Sequence, residues 1–455
     1  MKKYLPWIAV PLLLIVLIYA QHTHKTDQQL LQDSYQALLP SAAKFKPLND
    51  SIAAAQDASG STLAYVGVSS AVGYGGPMLV GVLVHTDGTL GTPVIFTHRE
   101  TPAYLSKIEQ HGFFQQFESR RVDDALTPGF DINGVSGATL SSRAVASAVN
   151  EAAHAIAVHA MELAPQKAEL PWQIGVNELA LAALFALGLL ASTVKKLARF
   201  RLILLGGSIL ILGFWLNRSF SLAFVLAACM GFFPHLAQNL GWYIVIAGAL
   251  LAPVILGKNT YCAFVCPFCG LQELTHKISN VNLSTGPLMK VMRSLRSVFL
   301  FAALFIGFLS LNPSCASYEP FGTIFGLNGE NCNWYLLFFM LVASFFFHRF
   351  WCHLFCPAGA LLDFIAARRR EVGKLCCKAG CRSGKSCTSE AGISGIGSKS
   401  APFSSRHLRD TGNRGVPLSG TPNMRPTKSQ VLFLLFYAAG VFCIVWTVWN
   451  NVNAQ

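Results

Sequence analysis

The sequence predicts a polytopic α-helical membrane protein with an exported α+β domain, and three observations lead to that class. Hydrophobic residues fill 53% of the 455 positions, with 33 Phe and only 13% charged residues, more apolar surface than one soluble core needs. Seven apolar stretches approach the ~20 residues that cross ~30 Å of hydrocarbon; they are 5 to 20, 175 to 193, 202 to 217, 238 to 257, 297 to 312, 334 to 350 and 430 to 449. Between the first two lies a polar segment, 25 to 165, that contains none of the chain's 13 cysteines.

The basic residues orient the spans. Of a net charge of +13, the largest share sits between Arg368 and Lys428, where 13 Lys or Arg face 3 Asp or Glu. Lys195, Lys196, Arg199 and Arg201 form a second cluster, and Lys277, Lys290, Arg293 and Arg296 a third. Positive loops stay in the cytoplasm. With Lys2 and Lys3 inside, the first span exports residues 21 to 170, and every basic cluster falls inside if 219 to 236 does not cross. That stretch is apolar but interrupted by Pro234 and His235, and it reads as a re-entrant or interfacial segment. No aromatic-basic platform accompanies the charges, which argues against a nucleic-acid partner and leaves membrane lipid. The opening "MKKYLPWIAVPLLLIVLIYAQ" reads as a retained anchor or as a signal peptide; an obvious small-x-small cleavage site is missing, which favours the anchor.

The expected organisation is an N-terminal membrane anchor (1–24), an exported domain (25–165) and a transmembrane bundle (166–366). A basic, cysteine-containing, disordered cytoplasmic segment (367–428) and a C-terminal transmembrane helix with a short tail (429–455) follow.

In the exported domain, "MLVGVLVHTDG" (78–88) and "PVIFTHRE" (93–100) alternate as strands, with Asp87-Gly88 as the turn. Helices are expected at about 103–117 and from about 139 onward. The second, opened by "DINGVSGATLSSRA", carries an apolar stripe at Val145, Val149, Ala152 and Ile156, with Ser136 or Thr139 as its cap. A helix start also gathers unpaired N–H groups and positive dipole, so a phosphate is stabilised there, and Gly137 admits it close to the backbone. The hydroxyl of Thr139 is placed to carry a phosphoester.

"SGATLSS" resembles the flavinylation motif of the FMN-binding domain in subunits of sodium-pumping quinone reductase and Rnf complexes, whose threonine holds FMN through a phosphoester. "GYGGPMLVGVLVHTDGTL" (73–90) and "HRETPAYLSKI" (98–108) are similar to that domain's glycine-rich turn, hairpin and Glu-Thr-Pro phrase. The resemblance implies covalent FMN at Thr139, attached by a flavin transferase. It implies too that Ser136, Gly137 and Ala138 surround the attachment point and that Gly75, Gly76, Glu100 and Thr101 lie near the flavin. The chain departs from the pattern at Asn133, where the family usually has Asp, and at Ala103, where glycine often follows Glu-Thr-Pro.

In the membrane part, "TYCAFVCPFCGLQEL" (260–274) and "RFWCHLFCPAGALLD" (349–363) repeat Cys-x-x-x-Cys-Pro just past the inner end of a span. Cysteines four apart can turn both thiols to one centre, while the proline frees backbone N–H groups to face the sulfurs. In a reducing cytoplasm such pairs are more often metal ligands than disulfides. Zinc is the rival metal, but iron–sulfur clusters serve electron flow beside a flavin and zinc cannot. The expected ligands are Cys262, Cys266, Cys269, Cys352 and Cys356, in one shared cluster or in two. Cys229 and Cys443 are isolated in apolar stretches.

The paired motifs, with "EPFGTIFG" (319–326), resemble the membrane segment of NosR-type and NirI-type proteins and of the related membrane flavoproteins encoded with reductive dehalogenases. Those of the NosR type end in a ferredoxin-like module, whereas Cys376, Cys377, Cys381 and Cys387 lack ferredoxin spacing and form either a nonstandard third site or a remnant. Cys315 and Cys332 fall in an exported loop, as a disulfide or as a redox-active pair. Among His235, His276, His348 and His353 no pair has convincing haem spacing. The spans hold almost no acidic residue that could couple transport.

The resemblance implies a membrane-bound electron carrier of the bacterial inner membrane, with its FMN domain periplasmic and its clusters, of the 4Fe-4S type, on the cytoplasmic side. Electrons would come from quinol or a cytoplasmic donor and reach an exported respiratory reductase or its maturation proteins. A redox-sensing regulator or maturation factor is the alternative.

Overall fold

The computed structural model describes residues 5–23, 35–100, 102–166, 172, 174–279, 281, 283, 287–316, 318–327, 329, 331–382 and 428–453. After an apolar helix α1 (Leu5–Thr23), the polar segment folds as a five-stranded antiparallel meander in the order β1 (Lys44–Asn49), β2 (Ile52–Gln56), β3 (Thr62–Val72), β4 (Pro77–His85) and β5 (Val94–His98). The Asp87-Gly88 turn forms as expected: Gly88 is left-handed at φ 85°, and the Asp87 carboxylate accepts the Thr89 amide at 2.9 Å. Helix α2 (Pro102–Gln110) stops earlier than the expected 117, because Gly112 adopts φ 63° and the chain resumes only as a 3₁₀ turn, Phe114–Phe117.

One long helix, α3 (Thr139–Ala160), lies across β3 and β4. Its expected stripe of Val145, Val149, Ala152 and Ile156 is buried against Val80, Val82 and Val84 of β4. The close approach depends on Gly67 in β3, where a Cβ would stand 2.8 Å from Ile156 Cδ1. The other sheet face buries Tyr35, Ala53, Ala55, Val66 and Val68, so both faces are covered.

The remaining helices form a second, larger core. Among the described residues three are long and apolar enough to cross a membrane, Val176–Thr193, Leu197–Trp215 and Lys428–Trp449; shorter apolar helices occur at Pro11–Ala20, Leu240–Leu256, Ser294–Ser310 and Asn331–Phe346. These seven coincide with the apolar stretches read from the sequence. Between residues 219 and 236 only a half-helix forms, Leu222–Met230, ended by Gly231 at φ 83°. At 1.5 Å per residue it is about 14 Å long, too short to cross.

The boundary at 366 is corrected. A helix starting at Pro357 runs to Arg382 and carries Cys376, Cys377 and Cys381 beyond the expected edge of the bundle. Its continuation is rich in helix-forming residues, and Arg368 pairs with Glu371 one turn on at 2.6 Å. Residues 383–427, including Cys387, lie outside the described residues.

Phe113 is fully buried in the N-terminal sheet domain, with its ring 5.6 Å from that of Phe117. Phe113→Ala is expected to lower the unfolding free energy of that domain by about 3–5 kcal/mol, read by denaturant titration of the purified protein.

Candidate functional site

The start of α3 lacks the side-chain cap that the sequence anticipated. The N-cap is Ala138 and no side chain bonds there; neither Ser136 nor Thr139 fills the role. The Thr139 hydroxyl points back to the Val135 carbonyl at 3.4 Å, and Ser142 bridges the turn by accepting the Val135 amide at 3.0 Å. A helix of 22 residues therefore presents a bare N-terminus, with Gly137 at φ 81° beside it.

Thr139 opens onto a cavity of about 690 Å³ between the N-terminal sheet domain and the helical part, which Ser136 and Gly137 also line. Three cations face it: Lys107 from α2, Arg143 from α3 and Arg218 from the helical part. Lys107 approaches to 2.6 Å of the point where a Cβ on Gly137 would sit. Arg218 sits 3.7 Å from Glu178, and Arg143 has its pKa pushed down by burial and by Arg218. An anion between the two guanidinium groups relieves that repulsion.

Arg218 reaches the cavity because the helix before it ends in a π-helical turn, Ile209–Trp215, followed by Asn217 at φ 47°.

A smaller space next to Thr139 is lined by aromatic rings: Tyr74 and Tyr104 from the N-terminal sheet domain, Phe224 and Trp242 from the helical part. Tyr74 contacts Tyr104 edge-on at 4.9 Å and Phe224 at 5.3 Å. The glycine-rich turn makes this possible. A Cβ on Gly73 would collide with Glu100 Oε1, and one on Gly75 with the Arg99 carbonyl and Ser314 Oγ of the helical part. Glu100 is fully buried behind the turn; its Oε1 accepts the Gly75 amide at 3.3 Å. Its carboxylate also takes a hydrogen bond from the buried Ser141 hydroxyl. Gly76 packs near Arg99 and Phe232, and Thr101 lies outside the described residues. Asn133 faces solvent, exchanging hydrogen bonds with Gln116 at 2.8 and 3.1 Å.

These residues fit a flavin phosphate: an uncapped helix start, three cations and aromatic walls beside a glycine turn with no room for a Cβ. Sequence reasoning missed Tyr74, Tyr104, Lys107, Arg143, Arg218 and Trp242. Tyr74, Tyr104, Lys107 and Arg143 stand inside phrases already singled out; Arg218 and Trp242 carry no local signal, because only folding brings them to the others.

The five cysteines converge from two similar half-sites. Cys262 lies in a π turn, Tyr261–Val265, and Cys266 precedes the helix Pro267–Ser279; Cys352 lies in the short helix Phe350–Leu354, and Cys356 precedes Pro357–Arg382. Both helices begin with the proline of their motif, which needs no N–H at that position. The carbonyls of Cys266 and Cys356 accept the first helical bonds, from Gly270 and Ala360, at 3.1 Å each. The Gly359 amide donates to Cys356 Sγ at 3.3 Å, and the amides of Phe268 and Cys269 serve Cys266 likewise. Cys262 interacts electrostatically with Cys352 and Cys356, and Cys269 hydrogen-bonds with Cys352. Among the described residues no three His, Cys, Asp or Glu side chains gather as around a single metal ion; thiolates around a multi-iron cluster stand farther apart than those around one ion.

Arg296 was also missed. Its side chain is only 9% exposed, it donates to the Cys356 carbonyl at 3.1 Å, and it pairs with Asp363 at 2.9 Å. Asp363 accepts from Asn259 at 2.8 Å, and Asn259 accepts the Cys262 amide at 3.1 Å. A hydrogen-bonded arc thus joins both motifs around one buried guanidinium and its Asp363 partner. Cys315 and Cys332 are both buried thiols, not a mutual disulfide. Cys315 belongs to a 3₁₀ turn, Pro313–Ala316, near Arg99, whereas Cys332 neighbours Cys443 on the C-terminal helix.

Comparison with known proteins matches residues 73–154 to the FMN-binding domain, and residues 238–285 and 334–374 to a 4Fe-4S binding domain. The protein NirI of Paracoccus denitrificans is 26% identical over 214 residues, 41% of this chain and 31% of that protein. The regulatory protein NosR of Pseudomonas aeruginosa is 26% identical over 225 residues, 44% of this chain and 31% of that protein. One component of the proton-translocating ferredoxin:NAD(+) oxidoreductase complex of Clostridium ljungdahlii is 34% identical over 133 residues, 27% of this chain and 70% of that protein. The chain belongs to the NosR/NirI-type membrane flavoproteins. It spans about a third of the length of NirI and NosR. In this NosR/NirI-type chain the 4Fe-4S match takes in both Cys-x-x-x-Cys-Pro motifs and stops before Cys376.

Burial pushes the Glu100 carboxyl up to about 7 from its ordinary 4.5. Folding therefore favours the protonated acid. The resulting stability is complete below about pH 4.5 and is lost as pH rises through about 7. The melting temperature of the N-terminal sheet domain is expected to fall across that window, and Glu100→Gln is expected to flatten the profile, as monitored by near-ultraviolet circular dichroism.

Proposed function

We propose that the protein is a membrane-bound electron carrier that moves electrons between iron–sulfur clusters held by Cys262, Cys266, Cys269, Cys352 and Cys356 and an FMN held covalently at Thr139. The observation that carries this reading is the flavin-sized, cation-faced cavity at Thr139, bounded jointly by the FMN domain and by Glu178, Arg218 and Phe325 of the helical part that also carries the cysteine motifs. The flavin, when bound, supplies one- and two-electron chemistry, and an iron–sulfur cluster one-electron steps. The chain's own contribution is position. Lys107, Arg143 and Arg218 neutralise the phosphate, the rings of Tyr74, Tyr104, Phe224 and Trp242 bound the flavin, and Arg296 offsets charge at the thiolates.

The protein crosses the bacterial inner membrane several times in this reading. Its FMN domain is periplasmic, both cysteine motifs are cytoplasmic, and Leu222–Met230 does not span. The positive-inside distribution of Lys and Arg supports that orientation. Quinol or a cytoplasmic carrier is the donor, an exported respiratory reductase or its maturation machinery the acceptor, and a flavin transferase loads Thr139. NosR is named a regulatory protein, which favours a second reading, in which flavin and cluster report redox state to a partner.

On denaturing electrophoresis viewed under ultraviolet light, the wild type is expected to fluoresce and Thr139→Ala to be dark; fluorescence in the variant rules out attachment there. Iron and sulfide analysis of Cys262→Ser and Cys352→Ser tests the ligands. A shared cluster predicts complete loss in either variant, and separate clusters predict loss of about half.

A further inference from the structure

Two tyrosines, one in each half of the molecule, are joined end to end by hydrogen bonds. Tyr261 is the neighbour of Cys262 in the chain, is 2% exposed, and its carbonyl accepts the Cys266 amide at 2.8 Å. It is therefore bonded to both cysteines of the first motif. Its hydroxyl accepts the backbone amide of Phe220 at 2.9 Å. The next residue, Ser221, has its Oγ 3.0 Å from the hydroxyl of Tyr74. Tyr74 is a wall of the aromatic space beside Thr139. Only two non-covalent links, both short hydrogen bonds, therefore separate the cysteine motif from the flavin pocket.

Resting on the electron-carrier reading, we propose that the route Cys262–Tyr261–Phe220–Ser221–Tyr74 is the path along which electrons pass between the iron–sulfur site and the flavin. Tunnelling falls off far more steeply through empty space than along covalent and hydrogen bonds, so a route with two such links and no gap dominates its neighbourhood. The surroundings hold it rigid. Phe220 is fully buried with its ring 5.5 Å from that of Tyr261, and Tyr74 rests against Phe224. The Glu319 carboxylate accepts the Leu222 amide at 3.2 and 3.3 Å, fixing the residue after Ser221. Each transfer moves one electron: one cofactor is oxidised by one as the other is reduced by one. No bond forms or breaks, and neither tyrosine gains or loses an electron or a proton.

The test uses the full-length protein in detergent, carrying both cofactors. The flavin is reduced by a flash-excited deazaflavin, and arrival of the electron at the cluster is followed by visible bleaching. Tyr261→Phe and Tyr74→Phe each keep the ring and delete one link, so both are expected to slow the transfer severalfold, and in Tyr261→Phe the flavin content and the flavin midpoint potential stay at wild-type values. Ser221→Ala breaks the Tyr74 link from the other side and must slow it equally. Tyr243→Phe, which removes a 2.7 Å bond to the Pro234 carbonyl off the route, is the control and keeps the wild-type rate. In the cofactor-free protein, the ultraviolet resonance Raman difference between wild type and Tyr261→Phe should show a tyrosine hydroxyl that accepts a hydrogen bond. Wild-type rates in Tyr261→Phe and Tyr74→Phe overturn the route and leave the carrier reading standing. Absence of flavin-to-cluster transfer in the wild type overturns both.

Discussion

The buried carboxylate of Glu319 is the contact on which the arrangement of both sites depends. It accepts the amide at the start of the half-helix Leu222–Met230 and the Ala358 amide in the first turn after Cys356. Inside an apolar bundle a helix start with open N–H groups is costly unless something accepts them, and one carboxylate here satisfies two such starts. One of these helices supplies Phe224 to the flavin pocket and the other follows the second cysteine motif. Losing that acceptor would free both walls at once. The "EPFGTIFG" phrase thus acts from between the two cofactor sites, through its glutamate.

The same economy governs the docking of the N-terminal sheet domain. Glycines at 73 and 75 lack the Cβ atoms that would strike Glu100, Arg99 and Ser314, so the turn sinks between its own domain and the helical part. Tyr74 is thereby carried across the boundary to Ser221 and Phe224. A pocket built from two domains keeps the flavin close to the iron–sulfur motifs, which a domain swinging on a linker would not.

Much of this was legible in the sequence where the signal is local. Seven apolar stretches became seven helices, because a chain in hydrocarbon must close its backbone bonds within each segment. The stripe at Val145, Val149, Ala152 and Ile156 was buried as its spacing required. Other expectations depended on context. Ser136 and Thr139 have the chemistry of a cap, but Ser142 took over the turn and left the α3 N-terminus open. Cys315 and Cys332, neighbours in a loop, were carried to different partners, and the helix after Pro357 outran the boundary that its basic composition indicated.

The sequence by itself determined the class of the protein, the flavin-type threonine motif and the repeated cysteine motifs, since periodicity and short spacing are properties of neighbouring residues. Only the tertiary structure decided what surrounds them. Lys107, Arg143 and Arg218 come from three elements, Arg296 reaches Cys356 from 60 residues away, and Tyr261 meets Phe220 across 41. Charge neutralisation and electron passage depend on distance in space, and separation along the chain carries no record of it.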